Sequence, residues 1–210
     1  MYVLGIDIET GAAFSEDIEN NFINEIGAVL WDTKTGTPLQ MYNTLVSPHT
    51  ERSIEGNIIA PEATEYTGIT DEQILKFGTE ITTALNTIRN MSNGCDYVVA
   101  HNGNNFDKVI IDNWLQKCEL GTLDKTWIDT LTDIKYPKNC VSKNLTYLSA
   151  FHLTFNSFPH RAVTDVLTML SVAQKYNWGN MVERANSPMV KVRAITPRPN
   201  WNNDAEMKVF

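Results

Sequence analysis

With 210 residues, 42% of them hydrophobic, the chain is long enough for one substantial core and demands no second full domain. Its 17 basic and 25 acidic residues leave a formal charge of −8, which excludes the broad basic field of a protein that wraps long duplex nucleic acid. The three cysteines, Cys95, Cys118 and Cys140, are odd in number and widely spaced, fitting neither a disulfide framework nor a zinc pattern. They read as reduced thiols, and with no charged, apolar leader and no run long enough to span a membrane, the expected location is cytoplasmic.

The opening run from Tyr2 to Ile8 is rich in β-branched and aliphatic residues and closes on Thr10 and Gly11, the pattern of a buried strand. After a polar, acidic stretch from Phe14 to Asn21, NEIGAVLWD and PLQMYNTLV flank the turn residues of DTKTGT, which predicts a β-hairpin joined to that strand. IAPEATEYTGITDEQILKFG carries helical fragments punctuated by Gly68 and Gly78, with Thr70 and Gln73 spaced as a capping box. From Thr79 to Met91, the residues Ile81, Leu85, Ile88 and Met91 recur at helical spacing, and Asn93-Gly94 stops the helix before the strand-like DYVVAH.

FDKVIIDNWLQKC returns to a helical period and TWIDT reads as a short buried strand. SKNLTYLSAF reads as a helix capped by Ser142, and RAVTDVLTMLSVAQKY as a helix with Ala162, Val166, Leu170 and Ala173 on one face. Strand and helix alternating after an initial hairpin predict an α/β fold, a mixed sheet of an antiparallel hairpin plus parallel strands flanked by helices. The main domain is expected over residues 1–186. Residues 187–210 change character to prolines and basic side chains, either a tail packed on the domain or the start of a further module.

Acids in a buried strand are costly unless paired, hydrogen-bonded or bound to a metal. Strand positions i and i+2 share a face about 7 Å apart, so Asp7 and Glu9 project together, away from Ile6 and Ile8, and can bracket divalent cations. A solvated edge strand would be spelled the same way. Asp107, in AHNGNNFD, falls near a helix N-terminus, where backbone donors and the dipole favour an anion. A purely structural helix acid fits there equally, as an Asx turn fits Asn102. In PHRAVTD, Pro159 marks a helix entry that puts His160 at its start and Asp165 further in, beside the apolar stripe.

What singles these residues out is their combination in one order: Asp-x-Glu on the first strand, Asn102 to Phe106-Asp107 after a later strand, and His160-x4-Asp165 entering a late helix. In them the chain resembles the DEDDh exonucleases of the ribonuclease H-like superfamily, over roughly residues 1 to 178. EIGAV, TGIT, AHN and the aspartate of WIDT are similar as well. The chain departs from that pattern at Gly11, where many members carry a second threonine, and in the long acidic stretch from Phe14.

The resemblance implies a metal-dependent 3′-to-5′ exonuclease that hydrolyses single-stranded DNA or RNA to nucleoside 5′-monophosphates. Asp7, Glu9, Asp107 and Asp165 would ligate two magnesium or manganese ions, hard cations suited to carboxylate oxygens. Asp7, Glu9 and Asp165 would share the ion that activates water, and Asp7 and Asp107, the latter through water, the ion on the leaving-group side. His160 would be the general base, and Thr10 and Asn102 the substrate contacts; Phe106 reads as core at the helix start that also makes partial contact with a terminal base.

Among the other histidines, His101 is the rival base, although a histidine at a strand end more often orients a turn. His49 and His152 read as structural. The expected partner is the 3′ end of a single strand, with a polymerase or a second copy of the chain both open as further partners and no membrane. The contrasting reading, a catalytically silent nucleic-acid- or partner-binding module of the same fold, has to explain why every acid and the histidine are present.

Overall fold

The computed structural model describes residues 1–11, 21–48, 58–193 and 204–208. The acidic stretch from Phe14 to Asn20, His49 and Arg198 lie outside them. Five strands form one sheet in the order β3-β2-β1-β4-β5, with β1 at Tyr2–Thr10, β2 at Ile23–Asp32, β3 at Thr37–Leu45, β4 at Tyr97–Ala100 and β5 at Trp127–Asp129. The β1-β2 and β2-β3 pairs are antiparallel and the β1-β4 and β4-β5 pairs parallel. This is the expected hairpin extended by parallel strands.

Helices cover both faces: α1 (Pro61–Thr67), α2 (Asp71–Phe77), α3 (Ile81–Ser92), α4 (Asp107–Lys117), α5 (Thr130–Asp133), α6 (Leu145–Phe151), α7 (Ala162–Ala173) and α8 (Trp178–Ala185). The two-residue period of β1 sorts its side chains. Leu4, Ile6 and Ile8 enter a core with Ile81, Leu85 and Ile88 of α3 and Ile110 and Leu115 of α4. Val3, on the opposite face, packs with Val166, Met169 and Leu170 of α7.

Two glycines let α7 lie unusually close to the sheet. A Cβ on Gly5 would fall 2.7 Å from Val166 Cγ1 and 2.8 Å from Leu170 Cδ1. One on Gly27 of β2 would fall 2.8 Å from Val163 Cα and closer still to the backbone carbon of Ala162 and nitrogen of Val163. The start of α7 therefore rests directly on the β2 backbone, and the residues just before and after that start are placed by this contact.

The Thr70–Gln73 capping box forms at α2, as its spacing predicts. Two helix starts differ from expectation. Asn144, not Ser142, caps α6. Its Oδ1 accepts from Thr146 N and Tyr147 N, while its own N–H donates to Ser142 Oγ. And α7 begins at Ala162 rather than at Pro159, because His160 sits in the left-handed region with φ 62° and cannot continue a right-handed helix. Beyond α8, β6 (Met189–Arg193) and β7 (Asp204–Lys208) form a separate antiparallel pair. Cys95, Cys118 and Cys140 are all free, and among the described residues no helix is long and apolar enough to cross a membrane.

Candidate active site

The parallel β1-β4 ladder ends at the Gly5–Val99 pair, which leaves the N–H of Ile8 to another acceptor. Asp107, the first residue of α4, takes it: its buried Oδ1 accepts from Ile8 N at 3.1 Å. The acid is thereby clamped beside β1, at the carboxyl ends of the parallel strands where ligand sites of open α/β sheets lie. Asp7 faces Gly27 and Glu9 faces Glu25 across the β1-β2 pair, and the register shifts just after Glu9.

The first turn of α7 supplies the remaining acid. One carboxylate oxygen each from Asp7, Glu9 and Asp165 lie within 4.8 Å of one another. Asp165 is held from both sides: Oδ1 accepts from Asn156 Nδ2 at 2.6 Å and Oδ2 from His160 N at 3.0 Å. The His160 ring stands 4.0 Å, centroid to centroid, from that of Tyr66 on α1, tilted by 47°. Tyr66 in turn lines a cleft of about 330 Å³ whose other walls include Glu9, Thr10 and Phe106.

Burial and mutual repulsion set the protonation of these acids. Burial, then the charges of Asp107, Glu9, Asp165 and Glu25, hold Asp7 well above the usual carboxylate range. Glu9 is pushed up to about 8, first by burial and then by Asp165, Glu25 and Asp107. Asp107 rises to about 7 through burial, against the lowering effect of its backbone hydrogen bonds. Asp165 is raised by burial despite its bonds from Asn156 and His160. Burial and repulsion outweigh the relief that Arg161 gives Glu9 and His160 gives Asp165, and the donors of the cluster are all hard oxygens. The cluster fits a hard divalent cation, which those carboxylates would hold.

The nearest guanidinium is committed elsewhere. Glu25, fully buried, receives Arg161 Nε on both oxygens at 3.2 and 3.1 Å and Arg161 Nη2 at 2.7 Å. It also accepts the N–H of Ala162 at 2.9 Å and Asn43 Nδ2 at 3.1 Å. An anion at the first N–H of α7 satisfies an orphan donor and the helix dipole together. Glu25 therefore fixes the end of α7 that carries Asp165.

Asp129 plays the equivalent part for the other half. Its oxygens accept from Asn102 N at 2.9 Å, Asn104 N at 3.2 Å and Leu131 N at 2.9 Å, which shapes the turn leading to Phe106 and Asp107. Asn102 there adopts φ 64° and its Oδ1 accepts from Asn105 Nδ2 at 3.0 Å.

Of the residues singled out in the sequence, Asp7, Glu9 and Asp165 come together, with Asp107 beside them and His160 bonded to Asp165. Thr10 and Phe106 share the adjoining cleft, and Phe106 also packs on the main core. Asn102 lies in the turn before Asp107. His101 is engaged at both ring nitrogens, Nδ1 with Thr130 Oγ1 and Nε2 with Lys143 O, each at 2.8 Å, which suits an orienting role. His152 Nε2 pairs with Tyr176 OH at 2.9 Å. Sequence reasoning named Glu25 only as part of EIGAV, without a role, and missed Asn156 and Tyr66. A charged residue inside the apolar run of β2 was a signal for Glu25; Asn156 and Tyr66 have none, since their contacts come from loop geometry and from α1 folding over the cleft.

A sequence profile of the exonuclease family, RNase T type, matches residues 4–173. No curated protein matches the chain in sequence. Among solved structures, the fold is similar to that of E. coli exonuclease I in its zinc-bound complex with single-stranded DNA, with TM-score 0.70, 17% identity, and 87% of this chain and 42% of that one covered. It is likewise similar to the same enzyme with a dT13 oligonucleotide, with TM-score 0.67, 17% identity and coverage of 83% and 40%. The chain thus spans less than half the length of these structures. With a family match over most of its length and the fold to go with it, the chain belongs to the RNase T type exonuclease family.

Proposed function

We propose that the protein is a 3′-to-5′ exonuclease that removes nucleoside 5′-monophosphates from single-stranded DNA or RNA, using two magnesium or manganese ions. The observation that carries this reading is the convergence of Asp7, Glu9 and Asp165 within 4.8 Å, beside Asp107 and next to His160, whose backbone N–H donates to Asp165. Divalent ions held by these carboxylates would supply the Lewis-acid charge for both the attacking and the leaving oxygen of a phosphodiester.

The chain's own residues do the rest. Asp107, anchored to Ile8 N, and Asp165, anchored by Asn156 and His160 N, hold their carboxylates still, so little reorganisation is needed when a phosphate arrives. His160 takes the proton of the attacking water through its imidazole. Thr10 and Phe106 line the cleft beside Glu9 and bound the terminal nucleotide, with Phe106 as an apolar wall for its base. In this reading Asn102, in the turn held by Asp129, is a further substrate contact. The net charge of −8 supports recognition of an end rather than of a long track, because phosphates far from the ions meet an acidic surface.

The test is incubation with end-labelled DNA and RNA oligonucleotides and with a circular single strand, with and without magnesium or manganese, read at single-nucleotide resolution. A ladder shortening from the 3′ end, an intact circle and no products in chelator are expected. Rapid cutting of the circle would replace the reading by an endonuclease; full activity in chelator would remove the metal mechanism.

A further inference from the structure

The loop from His152 to His160, between α6 and α7, is held in place at several points yet turns its largest apolar side chains into solvent. Leu153 and His160 at its two ends both adopt left-handed backbone, with φ 53° and 62°. For non-glycine residues this conformation is unfavourable and persists only where the surroundings impose it. Thr154 N donates to Ser149 O at 2.8 Å, Asn156 Nδ2 to Asp165 Oδ1 at 2.6 Å and His160 N to Asp165 Oδ2 at 3.0 Å, while Phe158 O accepts from Thr164 Oγ1. Between these anchors Leu153 is 93%, Phe155 87% and Phe158 65% exposed. Single exposed apolar residues are ordinary, but three in six positions on a pinned loop are a concentration that calls for a partner.

We propose that Phe155 and Phe158 form a stacking platform for the bases next to the scissile phosphodiester. The proposal rests on the nuclease reading and extends it to the substrate beyond the terminal nucleotide. Two observations name the occupant. The platform is continuous with the site: Asn156, between the two phenylalanines, touches Asp165, and with adjacent Cα atoms 3.8 Å apart the Phe155 backbone lies within about 10 Å of the acid cluster, the reach of neighbouring nucleotides. The second is charge. A protein at −8 offers a single strand little electrostatic hold outside the site, so affinity has to come from base faces, which stack on aromatic rings whatever the sequence.

The test uses the double variant Phe155→Ala/Phe158→Ala, its Tyr/Tyr counterpart and the wild type. Each is assayed with manganese on dT10 and on the p-nitrophenyl ester of thymidine 5′-monophosphate, which has no neighbouring base. Binding of fluorescently labelled dT10 is read separately in chelator. The Ala variant is expected to raise the KM for dT10 about tenfold or more and to weaken its binding to match. Ester turnover should stay within twofold and the Tyr variant should restore dT10.

Unchanged KM and binding in the Ala variant would overturn the platform. So would an equal loss on the ester, which would mean that the loop acts through Asn156 on Asp165. A shift in elution volume with unchanged KM would make the patch an interface between copies or with another protein, and overturn it too. Wild type that binds dT10 but cleaves neither substrate refutes the nuclease reading and leaves the platform to the binding data; wild type that does neither overturns both.

Discussion

Replacing Gly27 by alanine should separate the two halves of the acid cluster. The added Cβ would stand 2.8 Å from Val163 Cα and nearer still to the backbone of Ala162 and Val163. These are main-chain atoms of the helix start, so no side-chain rotation relieves the contact. Carbon–carbon contacts settle at about 3.5–4.0 Å, so the start of α7 has to retreat from β2 by about 1 Å. Overpacking of this kind costs about 1–3 kcal/mol, which for a chain of this length lowers Tm by roughly 3–10 °C. The same movement carries Asp165 away from Asp7 and Glu9 and stretches the Glu25 bonds to Ala162 and Arg161. A misplacement of about 1 Å in a catalytic group costs on the order of 100-fold in turnover.

Differential scanning fluorimetry with and without manganese, together with the rate of oligonucleotide hydrolysis, reads all three effects. Gly27→Ala should melt lower, gain less from manganese and turn over more slowly. Gly94→Ala is the control, since its Cβ meets nothing nearer than Met91 O at 3.5 Å. It should stay within about 0.5 kcal/mol of wild type. A Gly27→Ala protein with wild-type Tm and turnover would show that α7 does not rest on β2 as described, and the positioning argument for Asp165 would fail with it.

The metal-free protein should lose stability as pH rises. Glu9 is lifted from 4.5 to about 8 and Asp107 from 3.8 to about 7, so between about pH 4 and 8 the folded chain keeps protons that the unfolded chain has released. Melting in chelator at pH 5.5 and 8.5 checks the sign: a higher Tm at 8.5 would contradict a cluster of mutually repelling acids, and manganese should close the gap. By the same logic Asp7→Asn should raise Tm in chelator while abolishing hydrolysis and the manganese-induced shift; a lower Tm would mean that the carboxylate is stabilising without metal. His160→Ala should cut turnover by about 100-fold or more with the manganese shift retained, whereas His101→Ala should mainly lower Tm by breaking its bonds to Thr130 and Lys143; the reverse pattern in rates would reassign the base. Arg161→Ala should cost about 3–5 kcal/mol in urea unfolding, because it strands the buried Glu25 charge, and a change below 1 kcal/mol would remove Glu25 as the anchor of α7.

Local pattern was enough for much of this molecule. A two-residue period put Asp7 and Glu9 on one face of β1 and Ile6 and Ile8 on the other, and a 3.6-residue period marked the buried stripes of α3 and α7, because both are properties of the backbone alone. The alternation after the hairpin gave the mixed sheet for the same reason. Local chemistry was ambiguous where two residues could do one job: Ser142 and Asn144 are both good caps, and only the path of the chain decided which oxygen reached the free N–H groups. Pro159 is a sound helix-entry signal, but the bonds holding Asp165 and the loop before it impose a left-handed His160 and delay the helix to Ala162.

What no window of sequence could state is distance between remote segments. Glu25 and Arg161 lie 136 positions apart and Ile8 and Asp107 lie 99 apart, yet those two bonds hold the cluster together. They exist because Gly5 and Gly27 admit α7 onto the sheet and because β4 stops short of Ile8. Residue order singled out the acids; the packing of one helix across two glycines brought Asp7, Glu9 and Asp165 within 4.8 Å of one another.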